Sequence, residues 1–320
     1  MKAAVYYETG SPDVLKYEDV PDPKVHPKGV IVQVEAISIE GGDTLHRLGG
    51  LLTKVPHIVG YQCAGTIIEV GAEVTDRKVG DRVVATVADG SHAELVSAPV
   101  QSTWLIPDNL NTELAACIPV AFGTADDCLF EFGHLQAGES VLIQAGAGGV
   151  GLAAIQLAKR AGATVFATAS SKEKLDRLAE FGLDHGINYV EEDLTQAVLR
   201  LTNDQGVNLV VDPVGSTLAA SMASLAYRGR ISYVGNAGRD NQPLNVSPLM
   251  GKNQSITGVY LGAELAYSDR AYQNIARLIN DVAAGELQVV IDRVFPLAQA
   301  RDAHAYVESR QAFGRVLMTP

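Results

Sequence analysis

The chain has 320 residues, which at roughly 150 residues per domain predicts two domains. Hydrophobic residues make up 47% of it and charged residues 19%, so a disordered chain or a coiled coil is excluded and a sizeable core is expected. Twenty-five Lys and Arg residues stand against 37 Asp and Glu, a net charge of −12. Because no segment is strongly basic, we expect neither nucleic acid nor an anionic membrane as a partner.

The cysteines and the N-terminus point to the cytoplasm. Cys63, Cys117 and Cys128 are widely spaced and odd in number, which argues against a disulfide framework and for a reducing compartment. The first ten residues are predicted to form a strand, because charged and polar residues break any signal-peptide core. The uncharged stretch 140–158 holds two glutamines and four glycines, so a buried strand, turn and helix explain it better than a membrane span.

The first 120 residues are rich in short β-prone runs. After the N-terminal strand these runs are Val30–Ala36, Ala64–Val70, Arg82–Ala85 and His92–Val96. Gly and Pro separate the runs, and little helical periodicity lies between them. This pattern predicts a small antiparallel barrel or sandwich.

From residue 141 the chain alternates between strand and helix patterns. The strand starts are Val141, Thr164, Gly186, Asn208, Arg230 and Ser255, at intervals of 22 to 25 residues. The helix patterns are Gly151–Ala161, Lys172–Phe181, Asp193–Thr202 and Thr217–Tyr227. The alternation predicts an α/β domain with a parallel, doubly wound sheet. The stretch 235–254, with Pro243 and Pro248, is predicted to be an irregular connection.

The C-terminal residues return to a mixed pattern. The predicted elements there are a helix at Ala271–Ala284, a strand at Val289–Phe295, a helix at Ala298–Ser309 and a strand at Arg315–Met318. We therefore predict a β-rich domain of residues 1–122 and 262–320, interrupted by a nucleotide-binding domain of residues 123–261.

A glycine turn between the first strand and the first helix of the alternating region predicts a dinucleotide site. The turn contains Gly146, Ala147, Gly148, Gly149, Val150 and Gly151. Read as G-x-G-x-x-G, its first glycine permits the tight turn, the second lets a pyrophosphate approach, and the third lets the helix pack closely. Such a motif alone is a weak signal, but its place between strand and helix strengthens it.

The end of the second strand of this region indicates which dinucleotide binds. An NAD site would place an acidic residue there, but residues 163–172 contain none. Ser170, Ser171, Lys172 and Lys174 suit a ribose 2′-phosphate instead, which favours NADP(H). Ser170 and Glu173 also have the spacing of a helix capping box, and the two interpretations are compatible.

Residues 138–151, GESVLIQAGAGGVG, resemble the signature of the zinc-independent quinone oxidoreductases. These form the zeta-crystallin-like branch of the medium-chain dehydrogenase/reductase superfamily. Segments similar to the family also lie at Val30–Arg47, Val59–Gly65, Gly80–Val83, Val211–Gly215 and Gly314–Val316. One departure is Gly146, where Ser or Ala is usual. The resemblance implies a Rossmann sheet inserted in a GroES-like β-barrel catalytic domain, and a homodimer with residues 255–260 as the candidate edge.

The resemblance also bears on metal and chemistry. Zinc-dependent relatives have a Cys and a G-H-E turn where this chain has Gly41 and Gly60-Tyr61-Gln62. His46, His57 and Cys63 do not replace those ligands convincingly, so we expect no metal. Without a Lewis acid, the reaction left is direct hydride transfer to an acceptor that is already electrophilic, such as a quinone or an activated C=C bond.

The family resemblance further implies site residues. It puts the nicotinamide and substrate near Asp43, Thr124, Gly235, Asn236 and the Tyr260 region. Tyr189 resembles a position beside the adenine ribose phosphate, and Arg315 one near the cofactor's edge. The family often has Asn and Tyr where this chain has Glu40 and Leu45, so its usual acceptor site is altered. His46 or Tyr61 is the candidate to orient the acceptor carbonyl, with a purely structural role as the alternative for either.

Two other functions stay open from the sequence. An enoyl-thioester reductase would need a basic patch for a carrier phosphate, which the net charge disfavours. An NADPH-binding protein with a structural or RNA-binding role would need a basic stripe, which the sequence does not contain.

Overall fold

The computed structural model describes residues 1–239 and 243–320, and these form two compact units. Unit 1 consists of Met1–Val120 and Ser268–Pro320, and unit 2 of Ala121–Tyr267. The division predicted from the sequence lies a few residues from each of these boundaries.

The elements are numbered in chain order. The strands are β1 Lys2–Tyr6, β2 Lys16–Asp19, β3 Gly29–Ser38, β4 His57–Ile58, β5 Gln62–Val70, β6 Arg82–Thr86, β7 Leu95–Pro99, β8 Thr103–Leu105, β9 Ser140–Ile143, β10 Thr164–Ala169, β11 His185–Asn188, β12 Val207–Asp212, β13 Leu225–Tyr233, β14 Ser255–Gly258, β15 Ile291–Pro296 and β16 Arg315–Thr319. The helices are α1 Gly41–Gly49, α2 Thr112–Ala115, α3 Pro119–Asp126, α4 Gly149–Arg160, α5 Lys172–Ala179, α6 Leu194–Leu201, α7 Leu218–Ala223, α8 Leu261–Tyr267, α9 Asp269–Ala283 and α10 Ala300–Glu308.

Unit 1 is built on two β-sheets. The larger has the strand order β15-β16-β3-β5-β6-β8, with β7 also paired to β3, and the smaller has the order β2-β1-β4. Most neighbours are antiparallel, as the sequence predicts for this region. The C-terminal β16 pairs with β3 through Leu317 opposite Ser38, so the end of the chain completes a sheet begun near its start. Apolar side chains of β3, β5, β6, β16 and α10 form the core of this unit.

Helix α1 corrects the expectation that the first 120 residues contain little helix. Its sequence, GGDTLHRLG, has glycines at both ends, and glycine is a poor helix former. The helix is held by other contacts: Asp43 Oδ2 accepts the backbone N–H of Glu40 at 2.8 Å, and the buried Arg47 pairs with Glu308 of α10. These contacts cannot be seen in a local window of sequence.

Unit 2 is a parallel sheet with the order β11-β10-β9-β12-β13-β14, which confirms the doubly wound prediction. Helices α4 to α7 connect its strands, and their apolar faces cover the sheet. The helix predicted at Thr217–Tyr227 is wrong in its second half, because α7 ends at Ala223 and β13 begins at Leu225. The fully buried Leu225 enters the sheet core, so long-range packing overrides the local helical pattern.

Strand β14 lies at one end of the six-stranded order, where it pairs with β13. Between these strands, the described residues of the stretch 235–254 form one short 3₁₀ segment, Ser247–Lys252, in agreement with the predicted irregular connection. None of the helices in residues 1–239 and 243–320 combines the length and apolarity needed to cross a membrane.

Candidate functional site

The carboxyl ends of the parallel strands of unit 2 collect most of the predicted cofactor residues at one edge of the sheet. The glycine turn follows β9, Ser170 and Ser171 follow β10, and Tyr189 follows β11. Gly235 and Asn236 come shortly after β13. In a doubly wound sheet, ligands bind at this edge, near the point where the strand order reverses, which here is between β9 and β12.

The glycine turn has the close packing that the motif requires. A Cβ atom on Gly151 would lie 2.4 Å from the carbonyl oxygen of Ala145 and 2.7 Å from Gly146 Cα. A Cβ on Gly146 would lie 2.9 Å from that of Ala167 on β10. Gly148 is the last residue before α4, so the first N–H groups of that helix face the turn with the positive end of the helix dipole. With Ala147 and Val150, these glycines form a cradle that fits a pyrophosphate.

The loop after β10 presents hydroxyl and amino groups at the same edge. Ser171 caps α5, since its Oγ accepts the backbone N–H of Lys174 at 3.3 Å. The capping residue is therefore Ser171, and the Ser170–Glu173 capping box considered from the sequence is wrong. Ser171 immediately precedes the first helical residue, whereas Ser170 lies one residue too early to reach the third N–H. The half-buried Ser170 and the capping Ser171 keep hydroxyl groups suited to a phosphate.

Two further predicted residues are placed within unit 2. Thr124 lies in α3 with 6% of its surface exposed. Asn236 lies against the loop after β12, because a Cβ on Gly215 would come within 2.8 Å of its Oδ1. Gly215 has a φ of +80°, a backbone conformation that favours glycine. Asn236 thus packs against the loop that follows a neighbouring strand.

In unit 1, the side chain of Tyr61 packs against the start of α1. A Cβ on Gly42 would lie 2.5 Å from the Tyr61 hydroxyl oxygen, so this phenol packs directly on the first turn of the helix. Burial raises the pKa of Tyr61 well above its ordinary value, and the carboxyl groups of Asp43 and Glu40 act in the same direction. Tyr61 is therefore protonated at neutral pH and is a hydrogen-bond donor, not a base.

Asp43 lies beside this tyrosine and is fully buried. Burial raises its pKa well above the ordinary value, and the nearby Glu40 carboxylate raises it further, while the backbone N–H of Glu40 lowers it. Since Oδ2 accepts the backbone N–H of Glu40, the residue before α1, the Asp43 side chain stabilises the first turn of that helix. Asp43 therefore supports the helix start on which the Tyr61 phenol rests.

Arg315 and Glu40 form a buried ion pair in unit 1. Arg315 is 8% exposed and Glu40 3% exposed. The guanidinium also donates to Ser38 Oγ at 2.7 Å and to the carbonyl oxygen of Ile39 at 2.9 Å. Gln62 joins the pair by donating to Glu40 Oε1 at 3.1 Å. The family resemblance suggested Arg315 as a residue near the edge of the cofactor and marked Glu40 as a departure from the family. No feature of the sequence connected either residue with Gln62.

His46 belongs to a separate aromatic cluster of unit 1. Its Nδ1 lies 2.9 Å from the Tyr6 hydroxyl oxygen, and its ring stacks on that of His57 with centroids 4.9 Å apart. Burial raises the pKa of Tyr6 to about 12, so this hydroxyl stays protonated and shares a hydrogen bond with His46. Burial also lowers the pKa of His57. His46 is therefore engaged by two neighbours. The Tyr61 hydroxyl oxygen accepts a hydrogen bond from the backbone of Gly42, and its own O–H remains a donor.

A second histidine pair was not predicted from the sequence. His92 and His304 are fully buried, and their Nε2 atoms lie 2.9 Å apart. Burial lowers the pKa of His92 to about 3, so its imidazole is neutral in the folded protein. Over residues 1–239 and 243–320, no three His, Cys, Asp or Glu side chains are grouped closely enough to hold a metal ion.

Comparisons with known proteins match the whole chain. The family described as "Alcohol dehydrogenase GroES-like domain" matches residues 26–108, and that described as "Zinc-binding dehydrogenase" matches residues 149–281. A quinone oxidoreductase-like protein 2 from Bos taurus is 33% identical over 99% of this chain and 92% of its own length. A 2-haloacrylate reductase from a Burkholderia species is 31% identical over 99% of this chain and 98% of its own. The crystal structure of Escherichia coli quinone oxidoreductase complexed with NADPH superimposes with a TM-score of 0.95 at 28% identity, covering 100% of both chains.

Proposed function

Because this chain belongs to the quinone oxidoreductase branch of the medium-chain dehydrogenase/reductase superfamily, we propose that it is an NADPH-dependent reductase of quinones or activated C=C bonds. The observation that carries the proposal is the edge of unit 2, where a glycine cradle and the hydroxyl groups after β10 lie at the ends of adjacent parallel strands. The Escherichia coli quinone oxidoreductase among the similar structures and the 2-haloacrylate reductase among the relatives support the two acceptor classes.

The cofactor of this chain is NADP(H). A structural neighbour of the same family is a complex with NADPH. Gly146 to Gly151 would hold the pyrophosphate, and Ser170, Ser171 and Lys174 would hold the 2′-phosphate, with Tyr189 beside the adenine ribose. When bound, NADPH supplies the hydride. Thr124, Gly235, Asn236 and Arg315 stay predictions for the rest of the cofactor.

In this proposal, Tyr61 is the residue of the chain that acts on the acceptor. Its protonated phenol would donate a hydrogen bond to the acceptor's carbonyl oxygen and stabilise the negative charge that develops there as hydride arrives at the conjugated carbon. A proton must then reach the oxygen of a quinone, or the α-carbon of an enone, to complete a two-electron reduction. We propose Tyr61 over His46 because His46 already binds Tyr6 and stacks on His57.

The test measures NADPH oxidation with benzoquinone, an enone and an enoyl-CoA in separate assays. Turnover of benzoquinone or the enone is the expected result. A preference for the enoyl-CoA would assign the protein to thioester reduction instead. Tight NADPH binding without turnover of any acceptor would contradict the enzymatic proposal and favour a binding protein.

The role of Tyr61 has a test of its own. Tyr61→Phe removes one hydroxyl and is expected to lower kcat by about 100-fold, the usual loss for one donor to a developing oxyanion, with NADPH affinity unchanged. The matched control is Tyr7→Phe, which removes an exposed hydroxyl that donates to Glu18. Equal kcat values for the two variants would rule out Tyr61 as the donor.

A further inference from the structure

Beside the acceptor-orienting Tyr61 lies a buried cluster of one cation, one carboxylate and one amide. Glu40 Oε1 contacts the guanidinium of Arg315 and accepts a hydrogen bond from Gln62 Nε2 at 3.1 Å. These three side chains are at most 8% exposed. A buried arginine needs a carboxylate partner, because removal of that partner leaves a charge in a medium of low dielectric constant.

The amide of Gln62 connects this ion pair with the backbone at the start of α3. Its Nε2 also donates to the carbonyl oxygen of Ala116, and its Oε1 accepts the backbone N–H of Val120 at 2.7 Å. With Glu40 included, the Gln62 side chain has three partners and cannot shift without breaking at least one. It is therefore a rigid point at the beginning of β5.

Tyr61 immediately precedes Gln62 in the chain, and Glu40 immediately precedes α1. The phenol of Tyr61 rests on Gly42 of the same helix, where even one added methyl carbon would come within 2.5 Å of its oxygen. The Glu40–Gln62 hydrogen bond therefore joins the two segments whose contact sets the position of the phenol. A shift of either segment would move the hydroxyl.

We propose that Glu40 and Gln62 are positioning residues for Tyr61: their buried hydrogen bond, held in place by Arg315, fixes the phenol relative to the first turn of α1. This inference rests on the proposed function of Tyr61. It goes beyond that function by identifying two residues that act on the reaction without touching the acceptor. It also requires a carboxylate at position 40, where the buried Arg315 needs a charged partner, and an amide at position 62, where Nε2 donates to Ala116 and Oε1 accepts from Val120.

The experiment is a double-mutant cycle measured as kcat with NADPH and the best acceptor. Glu40→Gln is expected to lower kcat at saturating NADPH by about tenfold or more, since a small misplacement of a reacting group is costly. In the Tyr61→Phe background the same substitution is expected to have no further effect. Gln62→Glu, which removes the amide donor to Glu40 and to the Ala116 carbonyl oxygen, is expected to lower kcat by a similar factor, and this loss should also be absent in the Tyr61→Phe background.

Glu139→Gln is the matched control, because Glu139 pairs with the largely buried Arg230 and lies just before β9, at the end of that strand opposite the glycine turn. It is expected to lower stability while leaving kcat unchanged. Additive losses of kcat from Glu40→Gln and Tyr61→Phe would overturn the proposal, and so would a Gln62→Glu variant that folds and keeps the parent's kcat. If Glu40→Gln does not fold, Gln62→Glu replaces it in the cycle. A Tyr61→Phe variant with the parent's kcat would instead refute the proposed role of Tyr61, so the two failures are distinguishable.

Discussion

Substitution of Gly151 by alanine probes the glycine cradle most directly. The new Cβ would lie 2.4 Å from the Ala145 carbonyl oxygen, whereas ordinary contacts begin near 3.4 Å, so α4 and the turn must separate by about 1 Å (3.4 − 2.4). Overpacking of this kind costs about 1–3 kcal/mol, and the better helix propensity of alanine returns about 1 kcal/mol. The expected net loss of folding free energy is therefore about 0–2 kcal/mol, so the protein stays folded.

The effect on cofactor binding is expected to be larger than the effect on folding. Moving the start of α4 withdraws backbone N–H groups from the pyrophosphate, and one hydrogen bond to a charged group contributes about 1.5–3 kcal/mol. At 1.4 kcal/mol per factor of ten, the Kd for NADPH should rise by about 10- to 100-fold.

The assay pairs a fluorescence titration of NADPH with urea unfolding followed by circular dichroism. The matched control is Gly251→Ala in the short 3₁₀ segment, where a Cβ meets no atom within 4 Å, and both quantities should stay at the parent's values. If Gly151→Ala bound NADPH as tightly as the parent, the turn would not be the pyrophosphate site and the reasoning would be refuted.

Two further predictions concern charge. Lys174→Glu should raise the Kd for NADPH by about tenfold or more and leave that for NADH nearly unchanged, because only NADPH has the 2′-phosphate. Arg200→Glu, at an exposed arginine that pairs with Glu192 2.6 Å away, is the control. Equal effects on both cofactors in Lys174→Glu would refute the 2′-phosphate assignment. The second prediction concerns His92, whose pKa falls from an ordinary 6.5 to about 3 in the fold. The unfolded chain takes up a proton as pH drops below 6.5 and the folded one does not, so His92 makes stability fall as pH falls, by about 2 kcal/mol at pH 5. Urea unfolding followed by fluorescence of the single, buried Trp104 of unit 1 measures this loss, and His92→Gln should reduce it. An unchanged pH dependence in the variant would show that His92 is not its source.

Much of unit 2 could be predicted because its signals are local. Buried parallel strands are short apolar runs, and the helices between them have their own periodicity, so β9, α4 and β10 are visible within a window of a few residues. The glycine turn is also visible locally, since a Cβ on Gly151 would meet Ala145 and Gly146, although one on Gly146 would meet Ala167 of β10. The boundary between α7 and β13 was wrong because an alanine-rich segment has a helical preference that the buried Leu225 overrides.

The candidate acceptor site in unit 1 was predicted only in part. Asp43 and Tyr61 were candidates through the family resemblance, but the contact of the phenol with Gly42 joins residues far apart in the sequence. The same holds for α1, whose glycine-rich sequence does not indicate a helix. Its ends are held by Asp43 and by Arg47, through contacts that include Glu308, 261 residues away.

The amino-acid sequence by itself determined the order of the elements, the doubly wound sheet and the glycine cradle, because backbone preferences and apolar periodicity act between near neighbours. The tertiary structure, in contrast, decided which buried charged side chains form ion pairs. Arg315 and Glu40 are 275 residues apart, and nothing in either segment marks the other as its partner. The physical reason is that a buried ion pair depends on two side chains losing water at the same place, and that place exists only after β16 has joined β3.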